Sequence, residues 1–489
     1  MTEGVKAKYE VVVVGGGISG LASAYYLLKE ARVAGIPVNV TLVEKETRVG
    51  GRIITEKVDG FTIEGGPDCF LRQKPWAAEL VRELGMGDEL VGTNDERRKV
   101  FVLNKGKLTP LPDGVMLIVP TRIWPFVTSS LLSWSGKIRM GMDLVIPAYK
   151  NGKDESIASF VRRRLGNEAL EKIAEPLLSG IHVSDPEEQS LLATFPRFRI
   201  LEEKYGNLIF GMLEARKAAR NPTMTAAASG PNSIFITMKS GLVTFMEALF
   251  SSIIEYGGQV KTGIEISKIN KNDAGYSIQT SKGNNLHADV IVLASPSNIT
   301  ADLVRSFAQQ LSDRLLSIEY VSTATVSLVY REAEIGNALN GFGFVVPRGE
   351  NRRISACTWT STKFNNRAPE SYAMIRCFVG GPGKEEDVDL DDSSMLAIVQ
   401  NEVKDLMGIA VEPVLTRIYR WHKGNPQYKV GHLDRVAEIY SLCSEFDGLF
   451  VTGSSYGGIG LPDCVRQGKE TAQKVIKQLE PIREISVQN

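Results

Sequence analysis

Val11-Val12-Val13-Val14-Gly15-Gly16-Gly17-Ile18-Ser19-Gly20-Leu21 carries an apolar strand straight into Gly15-x-Gly17-x-x-Gly20 and then into a helical pattern. That spacing presents bare backbone amides to a pyrophosphate. Gly15 permits the tight turn, Gly17 lets the backbone approach the phosphates, Gly20 lets the helix pack on the strand, and the helix N-terminus adds partial positive charge. A second apolar strand, residues 38–43, ends in Glu44-Lys45, which puts an acidic acceptor for ribose hydroxyls near the expected spacing. Gly15, Gly16, Gly17, Ile18, Ser19, Gly20, Glu44 and Lys45 are therefore the expected dinucleotide-binding residues.

The next segment, Thr47-Arg48-Val49-Gly50-Gly51-Arg52, separates a flavin site from a nicotinamide site. Gly51 and Arg52 would bring an amide and a planar guanidinium onto the same diphosphate; the bland alternative for Arg52 is a solvated loop cation. Gly66-Pro67-Asp68-Cys69 lies in a side-chain-poor turn on which a flat ring could rest, or which is an ordinary turn. Near the C-terminus a strand, a glycine loop and a helix recur. Gly453, Ile459, Gly460 and Leu461 lead into a helix started by Pro462 and Asp463. Its N-terminus would favour an anionic reduced flavin; otherwise it caps the fold.

At 489 residues the chain exceeds a single core and suggests about three domains. Lysine plus arginine equals aspartate plus glutamate, 57 each, so no global field favours nucleic acid or an anionic membrane. The five cysteines are scattered without Cys-x-x-Cys spacing, and the four histidines lack metal-ligand spacing, so no disulfide framework and no metal are expected. Residues 1–10 lack an apolar signal core, and prolines and charges break the apolar stretch 111–134, so the expectation is a cytoplasmic protein without a transmembrane segment. Weak contact with a membrane surface is the most it allows.

The punctuation predicts an α/β fold in which a Rossmann-like FAD-binding domain is interrupted twice. Its segments are 8–73, 232–297 and 436–485; residues 92–231 form an inserted helical domain, and 74–91 with 298–435 form a mixed-sheet substrate domain. Residues 288–296 read as a buried strand ended by Pro296, where the first sheet resumes.

Taken together, Gly15 to Gly20, Glu44, Gly50-Gly51-Arg52, Gly66-Pro67, the strand at 288–296 and the segment 453–468 resemble the superfamily of flavin-dependent amine oxidases, phytoene desaturases and protoporphyrinogen oxidases. Gly65-Gly66-Pro67-Asp68-Cys69-Phe70-Leu71, Pro176-Leu177-Leu178-Ser179-Gly180-Ile181, Gly341-Phe342-Gly343-Phe344-Val345-Val346-Pro347, Phe378-Val379-Gly380-Gly381 and Pro426-Gln427-Tyr428 are similar to its protoporphyrinogen oxidase branch, above all the soluble oxygen-dependent Gram-positive type. The resemblance implies an FAD domain of the hydroxybenzoate-hydroxylase type, and oxidation of coproporphyrinogen III, and of protoporphyrinogen IX, by O2 with release of H2O2 in haem biosynthesis. It also implies transient contact with ferrochelatase, FAD contacts from Ile266 and Trp421, and a tetrapyrrole cavity lined by Val345, Trp359 and Phe378; Trp421 could equally be an aromatic core residue, and each of the other three ordinary strand core. Val100 stands where eukaryotic members carry an arginine for a propionate, with Arg97, Arg98 and Lys99 adjacent, so Lys74 is the preferred replacement; the alternative for it is an exposed loop lysine. No obligatory acid or base is identified; His182 and His422 are conspicuous, with a structural role expected for each. A carotenoid or amine oxidoreductase on the same fold, or a non-catalytic FAD-binding haem-pathway protein, are the competing readings.

Overall fold

The computed structural model describes residues 8–116, 118–120, 122–149, 152–218, 233–283, 285–336 and 339–487. Residues 1–7 and the expected domain boundary at 231/232 lie outside that set.

Tyr9–Val14 is the middle strand of a five-stranded parallel sheet. Val38–Val43 and Gln259–Lys261 lie on one side of it, Val290–Leu293 and Leu449–Val451 on the other. A parallel strand covered on both faces must be apolar throughout, and the valine run meets that demand. Val11 and Val13 point into one core with the first helix, Ile18–Ala34, the helix Val243–Glu255 and the last helix, Leu461–Val487. Val12 and Val14 point into the other, against the antiparallel strands Ile266–Asn272, Gly275–Thr280 and Asn285–Ala288 and the helix His432–Ser444.

A second, seven-stranded sheet runs in the order Leu415–Pro426, Tyr320–Arg331, Tyr372–Gly380, Ile354–Thr358, Gly343–Val345, Val100–Asn104, Lys107–Pro110. Helix Asp392–Met407 covers one face through Met395, Val399 and Val403. The other face receives the hairpin Thr55–Val58 and Phe61–Glu64, whose Phe61 and Ile63 pack on Val329 and Met374.

Two expected boundaries are corrected. Residues 100–110 belong to this sheet and not to the helical insertion, because Val100–Asn104 pairs in parallel with Gly343–Val345. Residues 74–91 pack with the dinucleotide-binding unit and not with the substrate domain: Ala77, Leu80 and Val81 of helix Trp76–Glu83 join the core of the first and last helices, and Leu90–Gly92 pairs with Phe235–Met238.

The helical unit encloses a charge network with no exposed member. Arg163, Arg164 and Arg199 face Asp143, Glu155 and Glu202, three cations to three carboxylates, at 2.5 to 3.5 Å. Beyond it, Leu170–Ser179 is wound as a π-helix carrying Pro176. No helix of the described residues is long and apolar enough to cross a membrane.

Candidate functional site: a dinucleotide cradle and a flavin turn

Gly15, at φ +106°, turns the chain out of the first strand while its N–H stays on the carbonyl of Val43. A side chain at Gly20 would lie 1.9 Å from the Gly15 carbonyl oxygen, whereas one at Gly17 would meet nothing within 4 Å. Gly17 is the N-cap of the first helix and offers its amides no side-chain acceptor. The turn is thus closed on the protein side at Gly20 and open at Gly17, with Ile18 and buried Ser19 between them. Glu44, 7% exposed, ends the second strand and accepts from Gly16 N at 2.5 Å and Glu46 N at 2.8 Å. Lys45 is exposed, its ammonium 3.8 Å from Glu46. Ile266 opens its strand in the second core, and the stretch just ahead is tied to the acid, Ile264 N donating to the Glu44 carbonyl.

The Gly50–Arg52 loop lies directly on this turn. Gly50 N donates to the Gly16 carbonyl at 2.7 Å, and a side chain at Gly51, φ +57°, would come within 3.2 Å of Gly17 Cα. Arg48 closes the loop by donating to the Gly51 carbonyl at 2.6 Å. Arg52 is half-buried, burial pulls its guanidinium below the usual range, and among the described residues it has no acidic partner. An uncompensated cation beside free helix-start amides is a site for a phosphate anion.

Gly65-Gly66-Pro67-Asp68-Cys69 is fastened to the seven-stranded sheet. The Gly65 carbonyl accepts from Thr325 Oγ1 and Trp421 Nε1, both at 3.0 Å, and Arg376 donates to the Gly66 carbonyl. A side chain at Gly66 would strike the Arg52 carbonyl oxygen at 1.9 Å. Lys363 pairs with Asp68 at 2.9 Å. Burial disfavours the Asp68 charge, yet Lys363 and Arg376 hold its carboxyl well below the carboxylate range, while burial and Asp68 push the Cys69 thiol up to about 12. The loop 453–460 closes the cradle from the C-terminal side. Gly453 sits at φ +129° close to Ser19, and Gly457 N donates to Gln467 Oε1. Tyr428 Oη accepts from Gly458 N at 2.9 Å and donates to the Ser454 carbonyl at 2.7 Å. Ile459 and Gly460 are half-buried, and buried Leu461 starts the last helix.

The expected substrate residues divide. Val102, Val345, Ala356, Phe378, Thr325 and Tyr419 are successive cross-strand partners and so share one face. It is the face on which the Gly65 turn rests; Phe378 is the cross-strand partner of Thr325, which holds that turn, whereas Val345 lies farther along the face and packs against the core of the helical unit. Trp359 does not. It is 2% exposed and packs 5.5 Å from Phe101 in the opposite core with Phe344 and Cys377, which corrects its expected place in the cavity lining. Lys74 is no free loop cation either: its ammonium lies 2.6 Å from Asp463, in the first turn of the last helix. His422 is exposed beside Asp389. Arg376 and Lys363 are absent from the sequence reading and Tyr428 enters it only as part of a motif, although an arginine inside the apolar run Ala373-Met374-Ile375-Arg376-Cys377-Phe378 is a signal in itself.

Behind the loop, His432 is buried, stacked on Tyr428 with centroids 3.8 Å apart, and its Nε2 faces the Tyr456 carbonyl at 3.1 Å. A carbonyl only accepts, so Nε2 carries the hydrogen. Burial lowers the His432 pKa to about 4. The unfolded chain takes this proton near the ordinary value of 6.5 and the native protein only near 4, so the stability involved is whole above about 6.5 and drains as pH falls through that window. The expected slope is about 1.4 kcal/mol per pH unit for this proton. Urea unfolding between pH 7 and pH 5 should show the slope reduced by one proton in His432→Gln; an equal slope in both proteins contradicts the assignment.

A family model described as flavin containing amine oxidoreductase matches residues 18–476. Over 473 residues the chain is 38% identical to coproporphyrinogen III oxidase of Bacillus subtilis, covering 96% of this chain and 99% of that protein. It is 30% identical over 493 residues to the chloroplastic protoporphyrinogen oxidase of Oryza sativa subsp. japonica, covering 96% and 89%. A crystal structure assigned to protoporphyrinogen oxidase from Exiguobacterium sp. 255-15 superposes with a TM-score of 0.85 at 31% identity, covering 98% of this chain and all of that one.

Proposed function

Because this chain belongs to the flavin containing amine oxidoreductase family, we propose that it is an FAD-dependent oxidase converting coproporphyrinogen III to coproporphyrin III, and protoporphyrinogen IX to protoporphyrin IX. Bound FAD supplies a two-electron acceptor, so the six-electron conversion takes about three turns, with O2 carrying the electrons away as H2O2. The cofactor half of this reading is carried by one observation, an Arg52 without an acidic partner among the described residues, on the loop that packs against the uncapped start of the first helix. The substrate half rests on the end-to-end likeness to coproporphyrinogen III oxidases.

In this reading the Gly15 to Gly20 amides, Gly51 and Arg52 hold the diphosphate, Glu44 takes the ribose hydroxyls and Ile266 borders the nucleotide. Gly66 to Cys69 and Trp421 back the flat ring. Gly453, Ile459, Gly460 and Leu461 bring the start of the last helix to its far edge, where a helix N-terminus favours negative charge. Val345 and Phe378 offer the macrocycle an apolar wall. Lys74, bonded through one N–H to Asp463, has further donors for a substrate carboxylate. The enzyme works in the cytoplasm and hands its product to ferrochelatase, with no nucleic-acid partner.

Under air, FAD-loaded protein should turn coproporphyrinogen III into fluorescent coproporphyrin with about three peroxides per ring. Colour change without peroxide removes O2 as the oxidant. An amine that bleaches the flavin anaerobically while porphyrinogen does not would make the protein an amine oxidase.

A further inference from the structure

We propose that His182 is the proton acceptor of the reaction, an inference that rests on the porphyrinogen-oxidase reading. When a bridge carbon of the macrocycle loses hydride, its C–H bond breaks and both electrons leave the ring. A pyrrole N–H bond must then break as well, its electron pair entering the new conjugation and its proton leaving. The proton needs a base at the substrate face of the cofactor loop.

His182 lies beside that loop, near Tyr428 and Lys74. It ends the short helix Gly180–His182, which directly continues the π-helix with Pro176 inside it. The next residue, Val183, sits at φ +49°, a left-handed backbone that a β-branched residue adopts only under constraint. Gln427 secures it, donating through Nε2 to the Val183 carbonyl at 3.1 Å. Irregular winding and strain in succession turn one imidazole toward the loop that closes the cradle. The ring lies edge-on to Phe195 at 5.4 Å and 6.4 Å from the Tyr428 ring, whose hydroxyl holds Ser454 and Gly458. It is half-buried, and neither ring nitrogen has a hydrogen-bond partner among the described residues. An imidazole ordered by its neighbours with both nitrogens free is open to a ligand.

The charged and titratable groups around it are few. Lys74 faces it from the loop ahead of helix Trp76–Glu83, with Asp463 of the last helix behind the ammonium, and Tyr428 adds a hydroxyl already engaged twice. Burial first, and Lys74 second, lower the ring's pKa to about 3. His182 is therefore neutral at working pH and able to accept, while the acceptor's conjugate acid is strong enough to release the proton to water before the next turn. A porphyrinogen that has just lost hydride is cationic, and its N–H is acidic enough for such a base.

The experiment compares wild type, His182→Ala and His182→Gln, all FAD-loaded, with coproporphyrinogen III. Both variants should keep wild-type flavin content and a KM within a few-fold of wild type, with kcat lower by roughly 10²–10⁴-fold. Added imidazole should restore turnover to His182→Ala and leave His182→Gln unchanged. A kcat for His182→Gln close to wild type overturns the proposal, as does a loss in His182→Ala that imidazole does not repair. If His182→Ala does not fold, the kcat of His182→Gln decides. A separate readout needs no turnover: among four histidines, the His182 resonance should not titrate above about pH 5 in wild type, and its midpoint should rise in Lys74→Met. A ring titrating near 6.5 in both proteins overturns the proposal. Wild-type protein that leaves coproporphyrinogen unoxidised overturns the oxidase reading, and His182 falls with it; active wild type with unaffected variants overturns His182 alone.

Discussion

Gly17→Asp is expected to give a colourless protein at least as stable as the FAD-free wild type. A side chain at this position meets no protein atom within 4 Å, so the fold has room for it, and the space it enters is the space a diphosphate occupies. At the N-cap, the new carboxylate would accept the first-turn amides that Gly17 leaves free, worth about 1 kcal/mol to the helix. It would also repel the phosphates from the same amides. Gly20→Ala is the counterpart. Its methyl would lie 1.9 Å from the Gly15 carbonyl oxygen, so the helix must move off the strand at roughly 1–3 kcal/mol or more. Flavin absorbance per protein and the urea midpoint of the apoprotein separate the two. Retained FAD in Gly17→Asp would show that the dinucleotide does not use this turn.

The second large effect lies far from the cofactor. Glu202 is fully buried and is met by Arg163 at 2.5 Å, Arg199 at 3.3 Å, Arg164 at 3.5 Å and Tyr149 N at 3.1 Å. Glu202→Ala leaves buried Arg164 and Arg199 and half-buried Arg163 with two carboxylates, and an unpaired buried charge costs about 3–5 kcal/mol. The exposed pair Arg162–Glu187, at 2.5 Å, is the control. Its contact is as short, but water screens it, so Glu187→Ala should cost no more than about 1 kcal/mol. Equal losses in the two variants would mean that burial of the network is not what makes it matter.

What could be read from the sequence follows the range of the interactions. The glycine turn, Glu44 and the Gly50–Arg52 loop are decided by neighbours within a few dozen positions, so spacing alone brought them to one point. The pairing of Lys74 is not legible in the sequence because its partner, Asp463, lies near the other end of the chain. Residues 74–91 and 100–110 were put in the wrong units for the same reason, since their strand partners are remote. Trp359 is a problem of parity. Alternation shows that neighbouring residues face opposite ways but not which way is inward, and the register shift between Ile354 and Ala356 breaks the count along that strand. The buried Arg376 stood out against its apolar run, yet its acceptor, the Gly66 carbonyl, depends on how the hairpin lies on the sheet.

The five parallel strands come from three separated stretches, and the last of them, Leu449–Val451, is followed by the helix in which Gly468 nests against Ser19 and Ala22. Translation therefore makes the phosphate-binding turn first and its supporting helix last. Until residues 290–293 are made the valine strand lacks its neighbour on one side, and until the helix Leu461–Val487 is made it lacks one of its covering helices, so first an unpaired apolar edge and then an uncovered apolar face of the kind that aggregates stay exposed. The two intervening units have cores of their own and are complete earlier. A truncation that removes the last helix should thus abolish cofactor capture while leaving these units folded, and the face of the first strand that carries Val11 and Val13 depends on protection until that helix emerges.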